Sequence, residues 1–226
     1  MYENKIENQR EDERTISPEE IQEIIRLANI LYFKSKVYED TKWMGIKTAK
    51  NPLDMWVYQE IICKLNADII IETGTYHGGS ALFFANILDV LGKGKILSID
   101  LNIPNSLPKH DRIEYIEGSS TSESVIEQVS EISKNSKSTM VILDSDHRAS
   151  HKLLELSLYA KFVTKGNYLI AEDSCFDYYP AWPEFGEGPA IAVKQFMENN
   201  VNFEIDRTKE KHLITFSPKA FLKKIR

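Results

Sequence analysis

The chain has 226 residues, 28 Lys and Arg against 34 Asp and Glu, and a formal charge of −6. That length suits one good-sized α/β core, and an acidic balance with no Lys/Arg stripe beyond the short basic end KKIR argues against a nucleic-acid partner. Cys63 and Cys175 form neither a disulfide framework nor a zinc site, and no apolar run reaches the ~18 residues of a membrane span, so a cytoplasmic protein without a membrane partner is expected.

Residues 1–16, MYENKIENQREDERTI, are polar and mixed in charge; they resemble no signal or transit peptide and are expected to form a flexible segment. Order is expected from Ser17. There SPEE supplies an N-cap, Pro18 at the first helical position and Glu20 for a capping box, and Ile21, Ile24, Ile25, Ala28, Leu31 and Tyr32 follow on one helical face. A second helix is expected from Pro52 to Leu65, so residues 17–66 read as a helical amino-terminal extension to a domain spanning 67–226.

From residue 67 strand and helix alternate. Strand candidates are DIIIET (68–73), KILSID (95–100), RIEYIEG (112–118), TMVILD (139–144) and NYLIAED (167–173). Helical patterns fall at 78–91, 121–133, 150–163 and about 189–199, and NFEID (202–206) with HLITFS (212–217) reads as a closing hairpin. The alternation predicts an α/β, Rossmann-like doubly wound sheet, mostly parallel, with an antiparallel hairpin at its carboxyl end.

The turn after the first of these strands, ETGTYHGGS (72–80), limits the ligand. It lacks the Gly-Lys-Ser/Thr of a triphosphate loop, and Tyr76 stands where a dinucleotide fingerprint needs its second glycine, so a pyrophosphate would be crowded. Glu72 at the strand end favours a cationic group, and Asp100 ends the next strand where an acid accepts hydrogen bonds from ribose hydroxyls. S-adenosylmethionine meets these constraints, with its ribose at Asp100, adenine beside Ser119 and Ser120, and its aminoacyl-sulfonium arm near Glu72 and Gly74. Candidate cofactor contacts are therefore Glu72, Thr73, Gly74, Tyr76, His77, Gly78 and Ser80 along the turn, with Asp100, Ser119, Ser120 and Asp144 on later strand ends.

LDSDH (143–147) and AED (171–173) bring carboxylates to the same sheet edge. Asp144, Glu172 and Asp173 are candidate ligands for a hard divalent cation, Mg²⁺, with Asp146 in reserve or as a helix cap. His147 is a candidate general base, with a capping or surface role as the alternative. A rival set, Asp144, His147 and His151, has the composition of a non-haem iron triad but leaves Glu172 and Asp173 without a role. The loop SCFDYYPAWPEFGEGPA (174–190) carries Tyr178, Tyr179 and Trp182, either as a wall for a small-molecule acceptor or as packing at the sheet edge or a subunit contact, which leaves a homo-oligomer open.

WMG (43–45), PLDMWVYQEII (52–62) and IIETGTYHGGSALFFA (70–85), followed by ILSID, EGSS, LDSDH and AED, resemble the family of cephalosporin hydroxylase-like proteins and rhamnosyl O-methyltransferases, over roughly Lys42 to Phe216. The resemblance implies a class I S-adenosylmethionine-dependent methyltransferase with a seven-stranded sheet over 67–226, and its macrolide-sugar relatives imply Mg²⁺. It places the metal acids at Asp144, Glu172 and Asp173 and the catalytic histidine at His147. The expected activity is O-methylation of a sugar or other hydroxylated small molecule, with an iron-dependent hydroxylase or a catalytically silent cofactor-binding protein as alternatives.

Overall fold

Ser17 begins the order that the computed structural model describes, which covers residues 15–226; the expectation for 1–16 falls almost wholly outside the described residues. Helix α1 (Pro18–Ser35) opens on the expected capping box: Ser17 Oγ accepts from the Glu20 amide at 3.2 Å, and the Glu20 carboxylate accepts from the Ser17 amide at 3.0 Å. Its expected apolar face is only partly covered. Ile25 is buried, whereas Ile24 and Leu31 face outward, because α1 meets the body of the protein through Ile25, Asn29, Tyr32 and Phe33. A short two-stranded ribbon, β1 (Lys42–Trp43) and β2 (Ile46–Lys47), leads into α2 (Pro52–Leu65), capped by Asn51 Oδ1 on the Leu53 amide.

The main sheet contains β3 (Ile69–Thr73), β4 (Lys95–Asp100), β5 (Ile113–Glu117), β6 (Thr139–Leu143), β7 (Tyr168–Ala171), β8 (Phe203–Ile205) and β9 (Phe221–Lys224). Its seven strands run in the order β5-β4-β3-β6-β7-β9-β8; β5 through β7 are parallel, and β9 is antiparallel to both its neighbours. Helices α3 (Gly79–Leu91), α4 (Glu123–Ser133), α5 (Ala149–Tyr159), the short α6 (Cys175–Tyr178) and α7 (Pro189–Glu198) lie between the strands. Strands such as IIIET and TMVIL are buried on both faces, which is why they read as unbroken apolar runs rather than alternating ones. On one face Ile71, Leu97, Val141 and Leu169 meet Val129, Leu156 and Phe196; on the other Ile70, Ile96 and Ile142 meet Tyr58, Ile62, Phe84 and Leu88.

The expected closing hairpin needs one correction. NFEID supplies β8, but its partner is FLKK, not HLITFS, so Lys223 and Lys224 of the basic carboxyl end belong to a strand. Residues 212–217 are apolar for another reason: Thr215, Phe216 and Ser217 bury themselves over α2, where the Phe216 amide donates to Asp54 at 2.8 Å. No helix among the described residues is long and apolar enough to cross a membrane. Cys63 is exposed and Cys175 buried, both as free thiols.

Candidate functional site

The chain runs from β3 outward through β4 and β5, then returns to place β6 on the other side of β3. The carboxyl ends of β3 and β6 thus flank the point where strand order reverses, the position at which open α/β sheets bind ligands. A cavity of about 800 Å³ opens there. Gly74 lets the two ends approach: its φ is +88°, and a β-carbon on it would lie 2.2 Å from the Asp144 carbonyl oxygen. The glycines of this turn serve chain packing. A β-carbon on Gly79 would likewise meet the Lys47 carbonyl oxygen at 2.3 Å.

Asp100 fixes the same turn from β4. Its Oδ2 accepts from the amides of Thr75 at 2.8 Å and Tyr76 at 3.2 Å, and the residue lines the cavity. Of the other candidate cofactor contacts, Gly74, Tyr76, Ser80, Ser119, Ser120 and Asp144 also line it. Glu72, Thr73, His77 and Gly78 do not. Glu72 lies fully buried behind the turn, accepting from Ser98 Oγ at 3.1 Å, and burial pushes its carboxyl above the ordinary range. Thr73 faces inward, with its Oγ1 3.3 Å from the Asp144 amide nitrogen, and His77 is exposed against Tyr76.

Lys50 is the residue that sequence reasoning missed. It stands one residue ahead of the α2 N-cap, yet its side chain is only 2% exposed, and its Nζ reaches Asp144 Oδ2 at 2.5 Å, Glu172 Oε2 at 2.8 Å and Glu72 Oε1 at 3.9 Å. Burial alone would push this ammonium toward neutrality; Asp144, Glu172 and Glu72 outweigh that and hold it well above the usual lysine range. Tyr58 completes the arrangement by donating to Glu172 Oε1 at 2.7 Å. Both oxygens of Glu172 are therefore engaged, and burial followed by the nearby Asp144 raises its carboxyl.

Asp144, His147 and Asp173 are the donors that converge: one ligand atom from each lies within 4.8 Å of the others. His147 Nε2 lies 3.3 Å from Asp173 Oδ2, its ring packs on Phe176, and its buried Nδ1 has no hydrogen-bond partner among the described residues. Asp173 sits at φ +63°, and its carboxyl is raised by burial, against the opposing pull of His147. The cluster suits a cation, since carboxylate oxygens of Asp144 and Asp173 converge with a ring nitrogen of His147 and an ammonium already lies against Asp144 and Glu172. Asp146 is used elsewhere. It accepts from the Arg148 amide at 2.9 Å and pairs with the Arg148 guanidinium, which holds its carboxyl down at about 2.

The two-histidine iron set is not assembled. His151 Nε2 lies 3.3 Å from both Ser120 Oγ and Ser145 Oγ and 3.7 Å from Glu155. Burial would raise Glu155, but Lys152 at 3.3 Å, then His151, Ser145 and Ser120, outweigh it and hold the carboxyl near 2. Beyond the acids the wall is aromatic. Trp182 lines the cavity, whereas Tyr178 lies under the Lys219 ammonium and neither it nor Tyr179 reaches the lining. Phe33 of α1 touches Phe176 at 5.2 Å and Trp182 at 6.1 Å between ring centroids, and with Phe185 and Phe216 they line the cavity.

The strand order with its antiparallel edge, and the cavity at the switch point, define a class I methyltransferase fold. The chain belongs to the family described as Rhamnosyl O-methyltransferase/CmcI, which matches residues 35–225, and it is an O-methyltransferase. A rhamnosyl O-methyltransferase of Mycobacterium leprae (strain TN) is 38% identical over 197 residues, covering 84% of this chain and 86% of the relative. Among solved structures, CmcI with Mg and SAM matches at a TM-score of 0.61 and 17% identity, over 83% of this chain and 78% of that one. The MycE methyltransferase from the mycinamycin biosynthetic pathway, in complex with Mg, SAH and mycinamycin VI, matches at 0.53 and 19%, over 75% of this chain and 48% of that one.

Proposed function

We propose that the protein transfers the methyl group of S-adenosylmethionine to a hydroxyl of a sugar carried on a small molecule, with Mg²⁺ at the acid cluster. The observation that carries this reading is the chemistry gathered around one cavity. Asp100, Ser119 and Ser120 line it from the ends of β4 and β5, Asp144 and Asp173 from past the ends of β6 and β7 on the other side of β3, and His147 packs on Phe176 of the aromatic lining. Asp100 has already committed Oδ2 to the turn, which leaves Oδ1 to accept from a ribose hydroxyl. Relatives named for rhamnosyl O-methylation favour a sugar acceptor, whose ring would stack on Trp182, Phe33 and Phe216.

Asp144, Asp173 and, once released by Lys50, Glu172 would hold the cation; the ion would supply Lewis acidity toward the acceptor oxygens. His147 takes the proton of the acceptor hydroxyl on Nε2, the nitrogen that faces Asp173, and the Asp173 carboxylate stabilises the imidazolium that results. The acceptor oxygen forms its bond to the methyl carbon as the carbon–sulfur bond breaks, releasing the neutral thioether. The walls of the cavity orient the two partners in line.

Calorimetry and methyl-transfer assays test the reading together. S-adenosylhomocysteine should bind and raise the melting temperature while NAD does not. Methylation of a rhamnosyl or related deoxyhexosyl glycoside should need Mg²⁺ and stop in EDTA. Equal turnover in EDTA would remove the metal from the mechanism, and failure to bind the thioether would remove the cofactor.

A further inference from the structure

We propose that Lys50 is a built-in cation that competes with the divalent metal for the carboxylates of Asp144 and Glu172, and so sets how tightly the metal is held. This rests on the metal reading above. The grounds are geometric. Glu72, Asp144 and Glu172 come from three different strand ends, and Asp173 adds a fourth acid beside them. Acids this close and this poorly hydrated repel one another unless a cation lies among them. The Lys50 ammonium does lie there, at 2.5 Å from Asp144 and 2.8 Å from Glu172, and only its outermost contact, Glu72, is as far as 3.9 Å.

Those two short contacts use oxygens that a metal bound by Asp144, Glu172 and Asp173 would need. A metal therefore enters either by drawing Asp144 away from Lys50 or by displacing the ammonium, and each route works against an ion pair already made. Asp173 makes no contact with Lys50 among the described residues and is the acid an incoming ion meets without displacing the ammonium. The arrangement lets the cluster fold without metal and keeps the ion exchangeable. Tyr58 supports it by holding the other oxygen of Glu172, so the carboxylate stays aimed at Lys50.

Mn²⁺ titration of the metal-free full chain, read by the paramagnetic resonance of the free ion, tests this without any turnover. Lys50→Met removes a unit positive charge a few ångströms from the site, so its Mn²⁺ affinity should rise on the order of ten-fold or more. Its metal-free melting temperature should fall and recover with Mn²⁺. Lys50→Arg should stay near wild type, and Asp144→Asn should bind poorly. Affinity in Lys50→Met equal to or weaker than wild type, with Asp144→Asn still impaired, overturns the competition and leaves the metal reading standing. No Mn²⁺ binding by either wild type or Lys50→Met removes the metal reading and this inference with it. Should Lys50→Met fail to fold alone, refolding in Mn²⁺ against EDTA reads the same point: recovery in Mn²⁺ supports the inference, and equal failure in both overturns it.

Discussion

Asp100 divides its two oxygens between fold and ligand. With Oδ2 holding the amides of Thr75 and Tyr76, the turn after β3 is fixed before any ligand arrives, so ordering it costs little on binding. Asp100→Ala loses both the anchor and the ribose acceptor, and S-adenosylhomocysteine affinity should fall by about 1.5–3 kcal/mol. Unchanged affinity by calorimetry would take Asp100 out of the cofactor site. His147 lies past the end of β6, on the other side of β3. His147→Ala should slow single-turnover methyl transfer by roughly 10²–10⁴-fold, the range for a positioned base, and leave thioether affinity in place. Full activity in that variant would make the ring a wall for Phe176 and nothing more.

Elements far apart in the chain build the aromatic lining: α1 brings Phe33, the loop after α6 brings Trp182 and Phe185, and the segment before β9 brings Phe216. Phe33→Ala and Trp182→Ala should each raise the acceptor KM by about ten-fold with thioether affinity unchanged, because only acceptor contacts are lost. Equal loss of both affinities would mean that these rings hold the fold instead. The five parallel strands were legible because each is a short apolar run closed by an acid or a glycine, and Asp100, Asp144 and Asp173 stand at or just past such ends, whereas β9, FLKK, has no such signal. Residues whose placement depends on distant contacts were not legible. Nothing local distinguishes Lys50 from an ordinary turn lysine, since its partners Asp144 and Glu172 are 94 and 122 positions away. HLITFS looked like a strand because burial over α2 selects the same apolar residues that a sheet would. The outward-facing Ile24 and Leu31 show the converse, a helical period drawn from the sequence that the rest of the molecule only half covers.

Across the whole molecule, α2 joins the amino-terminal part to β9 and the segment before it, and its buried acid makes stability depend on pH. Asp54 is buried and accepts from the Phe216 amide, and burial raises its carboxyl to about 7 despite help from Thr215 and Phe216; the nearby Asp173 raises it further, and Lys50 opposes. A carboxyl raised above its unfolded value of 3.8 binds its proton more tightly in the folded chain. Its contribution is therefore complete below about pH 4 and is lost as pH rises to about 7. Glu155, held near 2, has the opposite sign: its contribution is present above its unfolded value and is lost as pH falls through about 2. Asp54→Asn keeps an oxygen for the Phe216 amide and removes the ionisation. Urea unfolding should show the variant gaining on wild type between pH 4 and pH 7, by up to about 4 kcal/mol at the top of that range, and levelling off above it. Parallel stability curves from pH 4 to pH 8 would mean that Asp54 ionises as an ordinary carboxylate, and that the contact between α2 and the segment before β9 opens to water in solution.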